Sequence, residues 1–144
     1  TKPGLVTKRR TRIPQDELAC LVRPTLDRPW RGDWFLRRLQ LRRLEPVCQV
    51  SYQRTARVAS LARGPIRLTL DERVRVVPLE ALGFRSETGT PVVGSQMILE
   101  LKYSVEMPDV FHGLVETFRL TPQTASKYRL GLVATGHVAK VAPI

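Results

Sequence analysis

The sequence predicts an α+β domain built on an antiparallel sheet, and three observations carry that expectation. Segments alternating apolar and polar residues with period 2 recur at 47–58, 66–77 and 97–103. Around them lie shorter stretches whose apolar residues repeat at three- and four-residue spacing, as in helices that pack one face. The breaks, Gly64-Pro65 and the stretch from Gly83 to Gly94, carry turn chemistry. A hydrophobic fraction of 42% with 26% charged residues excludes wholesale disorder. The length of 144 residues favours a single domain, 1–144, and no apolar run approaches the roughly 18 residues of a membrane span.

Taken in order, Leu5 to Ile13 is β-compatible and heavily charged; as a strand it would align Lys8, Arg10 and Arg12 on one face. Pro14 ends it, and Gln15 to Val22 reads as a short helix with Asp16 and Glu17 in its first turn, where the helix dipole favours acids. Pro24, Pro29 and Gly32 mark a loop. Asp33 is placed to cap a helix over Trp34–Leu44, with Phe35, Leu36, Leu39 and Leu44 as its apolar stripe and Arg37, Arg38, Arg42 and Arg43 outside.

Three strands are expected next. Over 47–58, Val50, Tyr52, Arg54, Ala56 and Val58 share a face. Over 66–77, Ile66, Leu68, Leu70, Val74 and Val76 oppose Arg67, Thr69, Asp71, Arg73 and Arg75. Over 97–103, Leu99 and Leu101 oppose Ile98, Glu100 and Lys102. Pro108 opens a helix over 109–118 with Val110, Phe111, Leu114, Val115 and Phe118 inward, and a last short helix over 125–133 carries Ser126-Lys127-Tyr128. Isolated charges on each strand fit either a solvated sheet face or a polar barrel lumen. Arg54 favours the lumen: it shares its face with apolar neighbours, and a buried Arg needs an anion.

Charge sharpens this. Residues 1–75 carry 18 basic and 7 acidic side chains, a net of +11, whereas residues 76–144 carry 6 of each. Nineteen of the 24 cations are Arg, whose planar donor fork matches phosphate oxygens. An anionic partner is therefore expected. Cys20 and Cys48 lack C-x-x-C spacing, so neither a disulfide framework nor a zinc site is expected, and a reducing, cytoplasmic setting follows. Zinc-protease, serine-hydrolase and Walker-type signatures do not occur, His112 and His137 are far apart, and nothing fixes the separation of Asp71 and Glu100 as a carboxylate pair.

An ordered set of motifs goes further: Lys8-Arg9-Arg10; Leu44-Glu45-Pro46 leading to Tyr52-Gln53-Arg54-Thr55-Ala56; Ile66-Arg67-Leu68-Thr69-Leu70-Asp71; Ile98-Leu99-Glu100-Leu101-Lys102-Tyr103; a Pro108-led helix; and Ser126-Lys127-Tyr128. This order resembles the latter part of the VTC domain, the polyphosphate polymerase domain of the vacuolar transporter chaperone family. That family belongs to the triphosphate tunnel superfamily with CYTH-type triphosphatases. The resemblance implies an antiparallel β-tunnel, here partial, whose basic lumen transfers the terminal phosphate of ATP to polyphosphate with Mn²⁺ (or Mg²⁺).

By the resemblance, Lys8, Arg10, Arg54, Arg67, Lys102 and Lys127 bind phosphate, with Arg54, Arg67 and Lys127 catalytic, and Glu100 holds the metal. It implies ATP, polyphosphate or pyrophosphate as partners. The family's earlier strands, one with glutamate and lysine, one arginine-x-arginine and a further lysine strand, have no counterpart here. A chain beginning at Thr1 thus reads as a fragment with an open sheet edge, able to pair with another chain and inactive alone if those strands are required. Two other functions remain open: a triphosphate hydrolase of the same superfamily, and a basic nucleic-acid-binding module using Arg37, Arg38, Arg42 and Arg43. The low aromatic content, 6%, speaks against the latter.

Overall fold

Periodicity becomes structure around one long central strand. The computed structural model describes residues 8–22 and 29–139. Two units are distinguished, Thr1–Pro46 and Val47–Ile144, each with its own internal packing.

In the first unit, Pro14 leads into a 3-10 helix, Gln15–Leu21, with Asp16 and Glu17 in its first turn as expected. Helix α1 spans Asp33–Arg42. Gly32 occupies the N-cap and Asp33 is the first helical residue, so Asp33 meets the dipole without capping the helix. The helix stops short of Leu44. Arg43 takes a left-handed φ of 48°, and the Leu44 N–H donates to the Leu39 carbonyl at 2.9 Å. Leu36 is buried with Cys20 and Trp30 against Ile13 and Leu21, while Phe35 and Leu44 are exposed instead of joining the stripe. Burial of Trp30 is tolerated because its indole N–H donates to Glu17 Oε2 at 2.7 Å.

Leu5–Thr7, and the loop position Pro24, lie outside the described residues. Lys8–Ile13 forms no regular element and pairs with no strand among the described residues, so the expected strand is not formed by this part. Only Ile13 in that stretch offers apolar surface to the core, too little to hold a charged segment in a sheet.

The second unit holds a four-stranded antiparallel sheet, which confirms the α+β class. Strand β1 (Cys48–Leu61) pairs along its length with β2 (Gly64–Pro78) in a hairpin. The other side of β2 takes β3 (Thr90–Pro91) and β4 (Ile98–Lys102), with Arg67 opposite Lys102 and Asp71 opposite Ile98. The sheet is open among the described residues, with β1 an edge strand. Helix α2 (Asp109–Thr117) buries Phe111, which meets Tyr103 edge-on at 6.4 Å, but Val110 and Phe118 remain exposed. Helix α3 (Lys127–Ala134) is capped by Ser126, whose hydroxyl accepts from the Arg129 N–H.

Strict alternation across 66–77 fails at one place. Ser51 faces Arg75 but Gln53 faces Glu72, so β2 carries a β-bulge opposite Tyr52, and Arg73 within it takes a φ of 51°. The extra residue shifts the phase. Thr69 and Asp71 therefore share the buried face with Val74 and Val76, where uninterrupted alternation had set them on the opposite side. The polar run Asp71-Glu72-Arg73 supplies no apolar residue to hold the register through the bulge.

Relief of left-handed strain gives a direct test. Arg73→Gly is expected to raise unfolding stability by roughly 0.5–1 kcal/mol, and β-branched Arg73→Val to lower it, in urea denaturation.

Candidate functional site

On the face of β2 that α3 covers, cross-strand pairing sets charged side chains in rows. Arg54 of β1 lies opposite Asp71, which lies opposite Ile98 of β4. Ala56, Thr69 and Glu100 form the next row, and Val58, Arg67 and Lys102 the one after. Successive rows are about 7 Å apart, two residues along a strand.

Asp71 is the hub. It is 0% exposed, and its carboxylate accepts two charge-assisted hydrogen bonds, from Arg54 Nε to Oδ1 at 2.6 Å and from Arg54 Nη2 to Oδ2 at 2.7 Å, and forms an ion pair with Lys127, whose Nζ lies 2.6 Å from Oδ2. The Arg54 contact is bidentate, and Lys127 arrives from the first residue of α3. Tyr52, one alternation before Arg54 on β1, offers its ring to both cations, at 5.0 Å from the Arg54 guanidinium and 5.2 Å from the Lys127 ammonium. The hydrogen bond from Arg54, joined by Lys127, outweighs burial and holds the Asp71 pKa down to about 2. The same pair raises the Arg54 pKa further.

What brings Lys127 there is the seat of α3. A Cβ on Gly131 would lie 3.2 Å from Cys48 Sγ, Val50 Cγ2 and Val76 Cγ2, so the helix packs on the sheet through a residue with no side chain. Ser126 fixes where the helix starts, which places Lys127 in the first turn above Asp71.

Glu100 and Lys102, two residues apart on β4, are joined at 3.1 Å. Lys102 is the main reason the Glu100 carboxyl titrates below its ordinary range, with the fields of Lys127 and Arg54 adding to it. Arg67 stands directly across from Lys102. Like charges placed opposite one another on neighbouring strands oppose pairing unless an anion lies between them. Thr69, buried in the row it shares with Glu100, has a hydroxyl with no hydrogen-bond partner among the described residues.

Arg54, Arg67, Glu100, Lys102 and Lys127, the candidates from the motifs after the first, are thus gathered on one face of one unit. Lys8 and Arg10 belong to the first unit. They are exposed there, beside a surface concavity of about 580 Å³ that they line with Arg9, Trp34, Phe35 and Arg38. Arg9 stacks on Trp34 at 4.6 Å, and the Trp34 indole N–H donates to Thr11 Oγ1. The helix arginines Arg37, Arg38, Arg42 and Arg43 are exposed, as expected.

Sequence reasoning missed the central part of Asp71 and the platform of Tyr52. The signal was present: Arg54, set among apolar neighbours, required an anion, and Asp71 was within the adjacent strand. Asp71 and Glu100 sit diagonally, on adjoining rows, yet both are held ionised by cations. Neither is placed to donate a proton at neutral pH. Among the described residues no three His, Cys, Asp or Glu side chains cluster as metal ligands, and no helix is long and apolar enough to cross a membrane. Cys20 and Cys48 are free thiols.

Two outcomes follow from this geometry. The folded pKa of Asp71, near 2, lies below the roughly 3.9 of an unfolded aspartate, so its contribution to stability is complete above about pH 4 and is lost as pH falls through 2. Unfolding free energy should drop over that window, and Asp71→Asn should flatten the acid limb; an unchanged limb in the variant would remove Asp71 as its source. Gly131→Val should lower stability by roughly 1–3 kcal/mol through overpacking, measured by urea denaturation.

A family model, the VTC domain, matches residues 1–135. No curated protein and no solved structure matches the chain.

Proposed function

The chain belongs to the VTC domain family, and on that premise we propose that this sheet face binds the phosphates of ATP and transfers the terminal one to a polyphosphate chain. The observation that carries the reading is the convergence of Arg54 and Lys127 on Asp71, beside the opposed cations Arg67 and Lys102.

Phosphoryl transfer asks the protein for position and charge stabilisation more than for covalent chemistry. Arg offers five N–H donors and Lys three. Two of the Arg54 donors are directed at Asp71, and the Lys127 ammonium is paired with the same carboxylate. The remainder are the donors for phosphoryl oxygens, with charge that water screens little because Lys127 is only 20% exposed. Arg67 and Lys102 supply the anion demand of the neighbouring row: a phosphate seated between them relieves their repulsion. Tyr52 backs both central cations with its ring.

A divalent ion fits this donor set as a metal carried by the substrate. Glu100 is an ionised, half-exposed carboxylate that already contacts a cation at 3.1 Å, and a single carboxylate suffices when phosphate oxygens and water complete the coordination. Mn²⁺ or Mg²⁺ held by Glu100 would neutralise charge on the phosphates. The protein's own part is then to orient the phosphates with Arg54, Lys127, Arg67 and Lys102, and to keep Glu100 ionised through its positive surroundings.

The test is product analysis with ATP and Mn²⁺. Chains of phosphate with release of ADP are expected, and Arg54→Ala or Lys127→Ala should each lower the rate by roughly 100-fold, the scale seen on removing one donor to a transition-state oxyanion. Arg42→Ala, on the exposed face of α1, should leave it unchanged. Orthophosphate as the sole product would replace polymerisation by hydrolysis, and failure to bind ATP, pyrophosphate or polyphosphate would end the phosphate reading.

A further inference from the structure

We infer that Asp71 is a positioning residue: it clamps Arg54 and Lys127 at a fixed separation and stays bound to both while phosphate occupies their remaining donors. This rests on the phosphate reading above, and adds to it that the acid inside the basic cluster is part of the binding apparatus. The opposite role is that of a resident anion which the substrate must displace.

Geometry favours the clamp. The two cations come from different elements, an edge strand and a helix, and among the described residues Asp71 is the acceptor that pairs with both, with the Tyr52 ring beside each. Without a shared acceptor their like charges would drive them apart. Asp71 itself is on the central strand, paired on both sides, with its side chain 1% exposed, so it has no path to swing into water. Displacing it would leave a buried carboxylate without a partner, which costs more than the original pairing gains. The cations are the more open partners, at 32% for Arg54 and 20% for Lys127, and an incoming anion reaches them from that side. Arg54 commits one edge of its guanidinium, Nε and Nη2, leaving Nη1 uncommitted. A guanidinium held along one edge can receive phosphate along another without turning.

The two roles predict opposite signs. Asp71→Asn removes a negative charge from a basic site. If Asp71 merely competes, calorimetry with inorganic tripolyphosphate should show tighter binding. As a clamp, its loss should weaken binding about tenfold or more despite the added positive charge, and a rise in KM for ATP should accompany it.

Side-chain ¹⁵N NMR on the unaltered protein provides a second measurement should the variant fail to fold. In the free protein the Arg54 Nε–H and the Lys127 ammonium should resist exchange with water. On adding tripolyphosphate, the Arg54 Nε–H should keep its protection while the Nη1 resonance shifts; loss of the Nε–H protection would overturn the clamp. If tripolyphosphate does not bind at all, the phosphate reading fails on its own account. Exchange in the free protein still judges Asp71: absence of protection at Arg54 and Lys127 would overturn the inference.

Discussion

The second unit is organised by one buried carboxylate and the cations that neutralise it. Asp71 is removed from water on the central strand of the sheet, and such a charge persists only if its lone pairs are taken by donors. Arg54 spans both carboxylate oxygens from β1 and Lys127 joins it at Oδ2 from α3, so a single acid ties three elements together. Removing either cation leaves a half-satisfied buried charge, and removing the acid leaves two cations without a reason to converge. Stability and the proposed phosphate binding thus rest on the same contacts, two hydrogen bonds and one ion pair.

That interaction exists because the sheet changes phase. Without the bulge at Arg73, the valines packing beneath α3 and the carboxylate receiving Lys127 would lie on opposite faces of β2. The additional residue puts both under the same helix, so Val76 can seat Gly131 while Asp71 meets Lys127 one turn earlier. The site is therefore a consequence of register. A left-handed arginine is tolerated where it allows a hydrophobic seat and an ionic contact to share one face.

Much of this was legible in the residues. The α+β class, the antiparallel strands and most helices follow from periodicity, capping and turn residues. The face shared by Tyr52 and Arg54 on β1, and that of Glu100 and Lys102 on β4, emerge correctly from period 2. Illegible were the features that break a period. A bulge inside a polar run leaves no hydrophobic marker, so strict alternation sets Asp71 and Thr69 on the wrong side relative to Val74 and Val76. Arg54's need for an anion was read correctly, but the anion in the folded chain is Asp71; net charge alone does not distinguish a protein carboxylate from a ligand. At Lys8–Ile13, β-compatible residues are not enough: without an apolar face to bury, the segment pairs with no strand among the described residues.

The edge position of β1 gives the cluster a further property. Arg54 rides on a strand paired on one side only among the described residues, the kind of element that frays at a smaller free-energy cost than the centre of a sheet. Its bidentate grip on Asp71 works against that fraying from the side-chain layer. Under the proposed phosphate binding, fraying and anion occupancy become linked equilibria. Any ligand that needs Arg54 in place holds the strand closed, in proportion to how far its concentration exceeds its dissociation constant. The edge strand is in this sense a reporter, whose local opening would register whether the cluster is filled.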